Sequence, residues 1–192
     1  MRKVYIIRHC EAVGQEPEAQ LTDKGFEQAS ELSDSFSNTK IDRIISSPYK
    51  RTIQSVQPLA KRLNLKIEIN RQLTERILST KTLSDWLEKL KATFEDLNLK
   101  FDDGESSLEA TERIVEVVMG IFNGHSENTI IVTHGNLISL LLHYYDRNFG
   151  FEEWRSMSNP DVFLLKKDNN KVNYKRLWRP KINFHNNIKS TE

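Results

Sequence analysis

Cys10 is the only cysteine in the 192-residue chain. A single thiol excludes an internal disulfide framework and suits a reducing compartment, so a cytoplasmic protein is expected. A strong charge of either sign is also missing. Lys plus Arg number 28 against 27 Asp plus Glu, a net charge of +1, so no overall field recruits nucleic acid or an anionic membrane. Long apolar runs are absent too. The longest candidate, residues 136–145, is about half of what a membrane span needs. The N-terminal Met-Arg-Lys and its short apolar run lack the longer core and small-residue cleavage site of a signal peptide. No GxGxxG or GxxxxGK[ST] loop is present, so a nucleotide cradle is not indicated. His9, His125, His134, His143 and His185 show no HExxH or similar spacing, so no metal site is expected. Repeats, low-complexity segments and linkers are lacking as well. What is there is a globular balance, 38% hydrophobic and 29% charged, enough for one domain with a real core.

The chain alternates between two periods. "KVYII" (3–7), "IDRIIS" (41–46), "LKIEI" (65–69) and "TIIVT" (129–133) read as strands, rich in β-branched residues. Between them lie helical patterns. Residues 21–36 read as a helix with Thr22 as its N-cap. A second helix is expected to begin near Pro48, with Pro58 kinking it. A third helix is expected within 82–97, around Trp86, Leu87 and Leu90. In 106–122, Ile114, Val117, Val118, Ile121 and Phe122 recur at helical spacing. A Leu-rich helix follows residue 134, and 162–178 reads as a hairpin turning at residues 168–170. This order predicts an α/β fold: a three-layer α/β/α sandwich with a mainly parallel sheet and a C-terminal antiparallel hairpin. Residues 1–182 are expected to form one domain. Within it, 76–105 breaks the alternation and reads as a small insertion over the strand ends, and 183–192 reads as a frayed polar tail.

Two strands run directly into histidine: "YIIRH" into His9 and "IIVTH" into His134. A strand that simply surfaces would also end on polar residues. In a parallel sheet, however, both carboxyl ends share one edge, which is where ligands bind in open α/β sheets. "ISSPYKRT" (45–52) brings Arg51 and a helix start to the same edge, and both favour anions. "RQLTERI" (71–77) follows the third strand and brings Glu75, a candidate proton donor. Taken alone, Arg51 could face solvent and Glu75 could pair with Arg71 or Arg76.

Together, "RHCE" (8–11), "LTDKGFEQA" (21–29), "SSPYKRT" (46–52), "LTER" (73–76), "GESSLEATER" (104–113) and "VTHGN" (132–136) resemble the histidine phosphatase superfamily, the phosphoglycerate mutase-like proteins. The resemblance implies a phosphate pocket of Arg8, His9, Arg51 and His134, with His9 as nucleophile and Glu75 as general acid. It further implies substrate or phosphate contacts for Asn136 and Arg76. Neither a metal nor another cofactor is implied, and the partner is a small phosphorylated substrate. Cys10 and Ala12 depart from the usual glycine and from the usual threonine or serine. With a side chain at position 10, φ below zero is expected there. Cys10 is not expected to be catalytic, because a tyrosine-phosphatase loop needs Arg six residues later and residue 16 is Glu.

The implied chemistry is physically coherent. Two Arg forks and an imidazolium can cradle a transferring phosphoryl group. Neighbouring cations are expected to keep His9 neutral and nucleophilic. Three functions are compatible with this: a phosphomonoesterase, a 2,3-bisphosphoglycerate-dependent phosphoglycerate mutase, and a non-catalytic phospho-ligand module. A mutase needs a longer insertion to exclude water. The 76–105 segment is short and carries five basic and seven acidic side chains. This favours hydrolysis of a substrate with one phosphate.

Overall fold

The computed structural model describes residues 2–169 and 171–178. The expected tail at 183–192, His185, the end of the domain at 182 and part of the hairpin turn (residue 170) lie outside the described residues. Among the described residues, six strands form one sheet: β1 (Lys3–Arg8), β2 (Arg43–Ser46), β3 (Ile67–Ile69), β4 (Asn128–Thr133), β5 (Asp161–Asp168) and β6 (Lys171–Arg176). Their order is β3-β2-β4-β1-β5-β6. The pairs β1–β4, β4–β2 and β2–β3 are parallel, whereas β5 pairs antiparallel with both β1 and β6.

Helices α1 (Asp23–Ser35), α2 (Lys50–Leu63), α3 (Trp86–Glu95), α4 (Ser107–Asn123), α5 (Gly135–Tyr145) and α6 (Phe151–Arg155) complete the fold. Strand alternation explains the layers. Tyr5 and Ile7 of β1 face a core with Ala29 and Leu32 of α1 and Val56 and Leu59 of α2. Val4 and Ile6 face the opposite core, with Ile114 and Val118 of α4 and Leu137 and Leu141 of α5. The helices therefore cover both faces of the sheet. No helix among the described residues is long and apolar enough to cross a membrane.

Local signals account for most boundaries. Thr22 caps α1 through its hydroxyl, which accepts from Gly25 N–H at 3.0 Å. Ser106 and Glu109 form a capping box at the start of α4. Three expectations shift. Helix α2 starts at Lys50 with Tyr49 as N-cap, so Pro48 lies before it and Pro58 inside it. Strand β3 shortens to three residues because it is an edge, with Ile69 half exposed. Helix α6 has no counterpart in the sequence reading, being a single short turn after the glycine at 150.

One glycine is fixed by close approach. A Cβ at Gly25 would sit inside contact distance of the Glu11 carbonyl oxygen. Glu11 in turn accepts from Thr22 Oγ1 and Lys24 Nζ, both at 3.0 Å, so α1 packs directly on the turn after His9. In an unconstrained helix, Gly→Ala gains up to ~1 kcal/mol. Here a backbone clash opposes it, and overpacking costs ~1–3 kcal/mol. Gly25→Ala is therefore expected to lower the thermal midpoint by several degrees. An unchanged or raised midpoint would show that α1 slides freely.

Candidate active site

The sheet order makes β1 and β4 neighbours, with Arg8 opposite Thr133 in register. His9 and His134 follow immediately, and their ring centroids lie 5.4 Å apart. His9 N–H continues the pairing to the Thr133 carbonyl at 3.1 Å. Strand β2 adjoins β4 and ends at Ser46, so the next turn delivers Ser47 and Arg51 to the same edge.

The protonation of His9 follows from its partners. Its Nδ1 lies 2.6 Å from the Cys10 carbonyl, which can only accept, so Nδ1 carries the proton. Arg51 Nε donates to His9 Nε2 at 3.2 Å, so Nε2 presents its lone pair. Burial drives the His9 pKa down to about 3, with the cations Arg51 and Arg8 contributing less and the Cys10 bond opposing. The sequence predicts a neutral His9 from its neighbouring cations; exclusion of water is the larger cause.

His134 is read the same way. Arg51 Nη2 donates to its Nδ1 at 3.3 Å, so the proton sits on Nε2 and is donated to Ser47 Oγ at 2.9 Å. Burial holds its pKa well below the ordinary value, followed by His9 and the nearby arginines. His134 is thus a neutral imidazole, where an imidazolium was expected. The Tyr49 ring packs edge-on against it at 4.9 Å and under the Arg51 guanidinium, also at 4.9 Å.

Two guanidiniums join the histidines, Arg8 from the end of β1 and Arg51 from the first turn of α2. Arg51 is buried and also donates through Nη1 to the Gln15 and Glu16 carbonyls at 3.0 and 2.8 Å. Arg8 Nη1 donates to the Met157 carbonyl at 2.8 Å, while its Nε is buried without a protein partner. A Cβ on Gly135 would come within 2.9 Å of that Nε, so glycine leaves Arg8 room.

Glu75 reaches the start of α5. Its Oε1 accepts from Arg76 N–H at 2.9 Å and Leu137 N–H at 3.1 Å, and its Oε2 from Asn136 N–H at 3.2 Å. Burial raises its pKa. The three N–H bonds and Arg8 oppose that rise without cancelling it. Asn136 is buried, and both side-chain polar atoms lack a protein partner.

Arg76 goes elsewhere. It donates through Nε to the Glu105 carbonyl at 2.9 Å and through Nη1 to Thr93 Oγ1 at 2.8 Å. Glu105 N–H meets the Ile77 carbonyl at 2.7 Å, so the two ends of the 76–105 segment are tied together. The structure therefore brings together Arg8, His9, Arg51, Glu75, His134 and Asn136, while Nε and Nη1 of Arg76 turn to Glu105 and Thr93. The remaining Arg76 nitrogen, Nη2, is buried without a protein partner.

Cys10 is buried in the apolar core on the α1/α2 side, and burial pushes its thiol up to about 12. Among the described residues, positive φ outside glycine is confined to Asn64, Asp103 and Asn169, so Cys10 has the negative φ expected for it. Its thiol is un-ionised at neutral pH, consistent with a spectator. His125 sits exposed in its loop, and His143 Nδ1 lies 2.9 Å from the Phe149 carbonyl within the α5–α6 corner. Among the described residues, no group of three or more His, Cys, Asp or Glu is arranged to hold a metal ion.

Sequence reasoning missed Ser47, Ser55 and Asn159. Ser47 is part of the "SSPYKRT" segment, and the Asn159–Pro160 dipeptide is a turn signal before β5.

The buried histidines have a thermodynamic consequence. An unfolded histidine titrates near 6.5, whereas folded His9 does so at about 3. Folding therefore excludes a proton between those values, and stability is lost as pH falls from 6.5 toward 3. Glu75 and Asp161, whose values are raised, act oppositely, so the comparison needs a variant. The stability gap between wild type and His9→Ala is expected to shift by roughly 2 kcal/mol in the variant's favour between pH 7 and pH 5. Urea unfolding at the two pH values measures it, and a pH-independent gap would mean that His9 is not buried neutral.

Parallel strands delivering two imidazoles and two guanidiniums to one sheet edge, with a carboxyl beside them, define an enzyme of the histidine phosphatase class. The chain belongs to the histidine phosphatase superfamily (branch 1), whose sequence profile matches residues 4–178. A Hydrogenobacter thermophilus protein named "Putative phosphoserine phosphatase 2" is 24% identical over 157 residues, covering 74% of this chain and 77% of that protein. Among solved structures, a mycobacterial glucosyl-3-phosphoglycerate phosphatase superposes with a TM-score of 0.73 at 19% identity, covering 92% of this chain and 97% of the other. A variant phosphoserine phosphatase from Entamoeba histolytica, in complex with phosphoserine, gives 0.74 at 17% identity, covering 91% and 95%. At these identities the two structures establish the likeness of fold.

Proposed function

We propose that this protein is a phosphomonoesterase that hydrolyses a small phosphorylated metabolite through a phosphohistidine at His9. The observation that carries the reading is the state of His9: neutral, its Nδ1–H held by the Cys10 carbonyl, and its Nε2 lone pair beside Arg51. A phosphoryl group between Arg8 and Arg51 would draw their N–H donors onto its oxygens and free Nε2 for in-line attack. The positive charge that the transition state needs is already supplied by those two side chains. Asn136, with unpartnered polar atoms, is read as a substrate contact. Glu75 is read as the acid that protonates the leaving alkoxide and then the base that activates water.

Residues 76–105 are read as a small insertion beside this pocket, in a single domain. A groove of about 510 Å³ opens next to Glu75, lined partly by Ile77, Asp103, Glu105 and Arg113. Arg113 is spent there on Glu105, at 2.6 and 2.8 Å, and on the Gln72 carbonyl. A second phosphate would meet mostly carboxylates, which supports a leaving group without one. The relative named for phosphoserine and the lone buried cysteine agree with a cytoplasmic metabolite phosphatase.

The test is turnover and product identity. p-Nitrophenyl phosphate is expected to be hydrolysed in the presence of EDTA. Phosphorus NMR with 3-phosphoglycerate and 2,3-bisphosphoglycerate primer is expected to show inorganic phosphate and no build-up of the 2-phospho isomer. Activity lost on chelation and restored by a divalent ion would overturn the reading. Faster isomer than phosphate release would make the protein a mutase.

A further inference from the structure

We propose that Asn159 and Ser55 are positioning residues that clamp the peptide unit after the nucleophile and thereby aim His9 Nε2; this rests on the phosphatase reading above. The unit is the peptide between His9 and Cys10. Its carbonyl, on His9, accepts from Asn159 Nδ2 at 2.7 Å. Its N–H, on Cys10, donates to Ser55 Oγ at 2.8 Å. One peptide is thus held at both polar ends by side chains from different parts of the fold, α2 and the turn before β5.

The clamp is needed where it stands. His9 N–H makes the last bond that continues the β1–β4 pairing. Beyond it the chain leaves the sheet, and nothing in the ladder fixes the next peptide. Yet the imidazole takes its orientation from the following carbonyl, because Nδ1–H bonds to Cys10 O. If the 9–10 peptide rotates, that carbonyl and the ring rotate with it.

Each clamp also reaches an arginine of the pocket. Ser55 Oγ donates to the Arg51 carbonyl at 2.6 Å, in the residue whose Nε meets His9 Nε2. The turn carrying Asn159 also holds Arg8, through the Met157 carbonyl. Buried Asp161 anchors that turn, accepting from Ser158 N–H at 3.1 Å and from Arg176. The two side chains therefore set nucleophile and cations in one frame. An amide suits position 159 because it donates to a carbonyl, whereas a carboxylate would repel it.

The experiment uses the full chain with Asn159→Ala, Asn159→Asp, Ser55→Ala, Ser55→Thr and the double alanine variant. Single-turnover phosphorylation by p-nitrophenyl phosphate is followed together with the ¹⁵N signals of His9. A misplacement of about 1 Å costs ~10²-fold in rate. Each alanine variant is expected to lose about 10- to 100-fold in phosphorylation rate, with little change in KM. Asn159→Asp should lose more, and Ser55→Thr should recover most of the rate. Because the two act on one peptide, the double variant should lose less than the product of the single losses. The His9 signals should pass from one neutral tautomer to a mixture. A purely structural role would lower the unfolding midpoint while leaving the tautomer and the split between kcat and KM unchanged, and that result overturns the proposal. So does wild-type rate in a folded Asn159→Ala or Ser55→Ala protein. If one variant does not fold, the other carries the test. Should His9→Ala itself remain active, the phosphatase reading fails and the clamp with it. An inactive His9→Ala beside a fully active Asn159→Ala removes only the clamp.

Discussion

Replacing His9 with alanine is expected to reduce phosphatase turnover to background. The reason lies in what remains. Arg8, Arg51 and His134 would still bind a phosphoryl group, but no other nucleophile stands ready among them. His134 turns its lone pair to Arg51 and its Nε2–H to Ser47. Cys10 lies in the apolar core with its thiol pushed up to about 12. Binding should therefore survive while chemistry is lost, so the variant is expected to retain affinity for inorganic phosphate by calorimetry. In the wild type, rapid quenching in base during turnover should trap label on His9, stable to alkali and released by acid. Label on Cys10, Asp or Glu would overturn the mechanism. Cys10→Gly is expected to keep substantial activity.

Glu75→Gln is expected to separate leaving groups by their need for a proton. An alkoxide leaves poorly without one, and general acid help is worth ~10²–10⁴-fold. Nitrophenolate leaves unaided, so its phosphorylation step should change much less. The substitution is nearly neutral in shape. The Gln carbonyl can still accept from Arg76 and Leu137 N–H, while its amide faces Asn136 N–H, so one bond is lost. The cost in stability should be limited to ~1–3 kcal/mol, and the thermal midpoint serves as the control. The pH profile gives a second readout. Burial holds the Glu75 proton above its ordinary range. Rate on an alkyl phosphate should fall as pH rises through that raised value, because the acid is then ionised. The limb should vanish in Glu75→Gln and be weak with p-nitrophenyl phosphate. Equal losses on both substrates, with phosphorylation rate-limiting, would mean that another residue is the acid.

What could be read from the chain was local chemistry. Strand periodicity in "VYII" and "TIIVT", the Thr22 cap and the apolar spacing along α4 all act within one or two turns of backbone. Two strands ending on histidine were visible for the same reason. The boundaries that moved were those where a neighbour decides: β3 is short because only one side of it is paired, and α2 begins after the Ser47–Tyr49 turn that packs on His134.

By itself, the sequence determined the alternation of strands and helices, and with it the edge on which Arg8, His9, Arg51, Glu75 and His134 emerge. Propensity, capping and periodicity belong to neighbouring residues, so no distant contact is needed to read them. Tertiary structure alone decided what these side chains do to one another. It placed β4 beside β1 although 119 residues separate the end of one from the start of the other, between Arg8 and Asn128. It made His9 and His134 neutral chiefly by excluding water, selected their tautomers through Cys10, Arg51 and Ser47, turned two nitrogens of Arg76 to Thr93 and Glu105, and brought Asn159, 150 residues along the chain, to the His9 carbonyl. Desolvation and hydrogen-bond direction depend on what surrounds an atom from every side, and that is set only once the chain has closed around it.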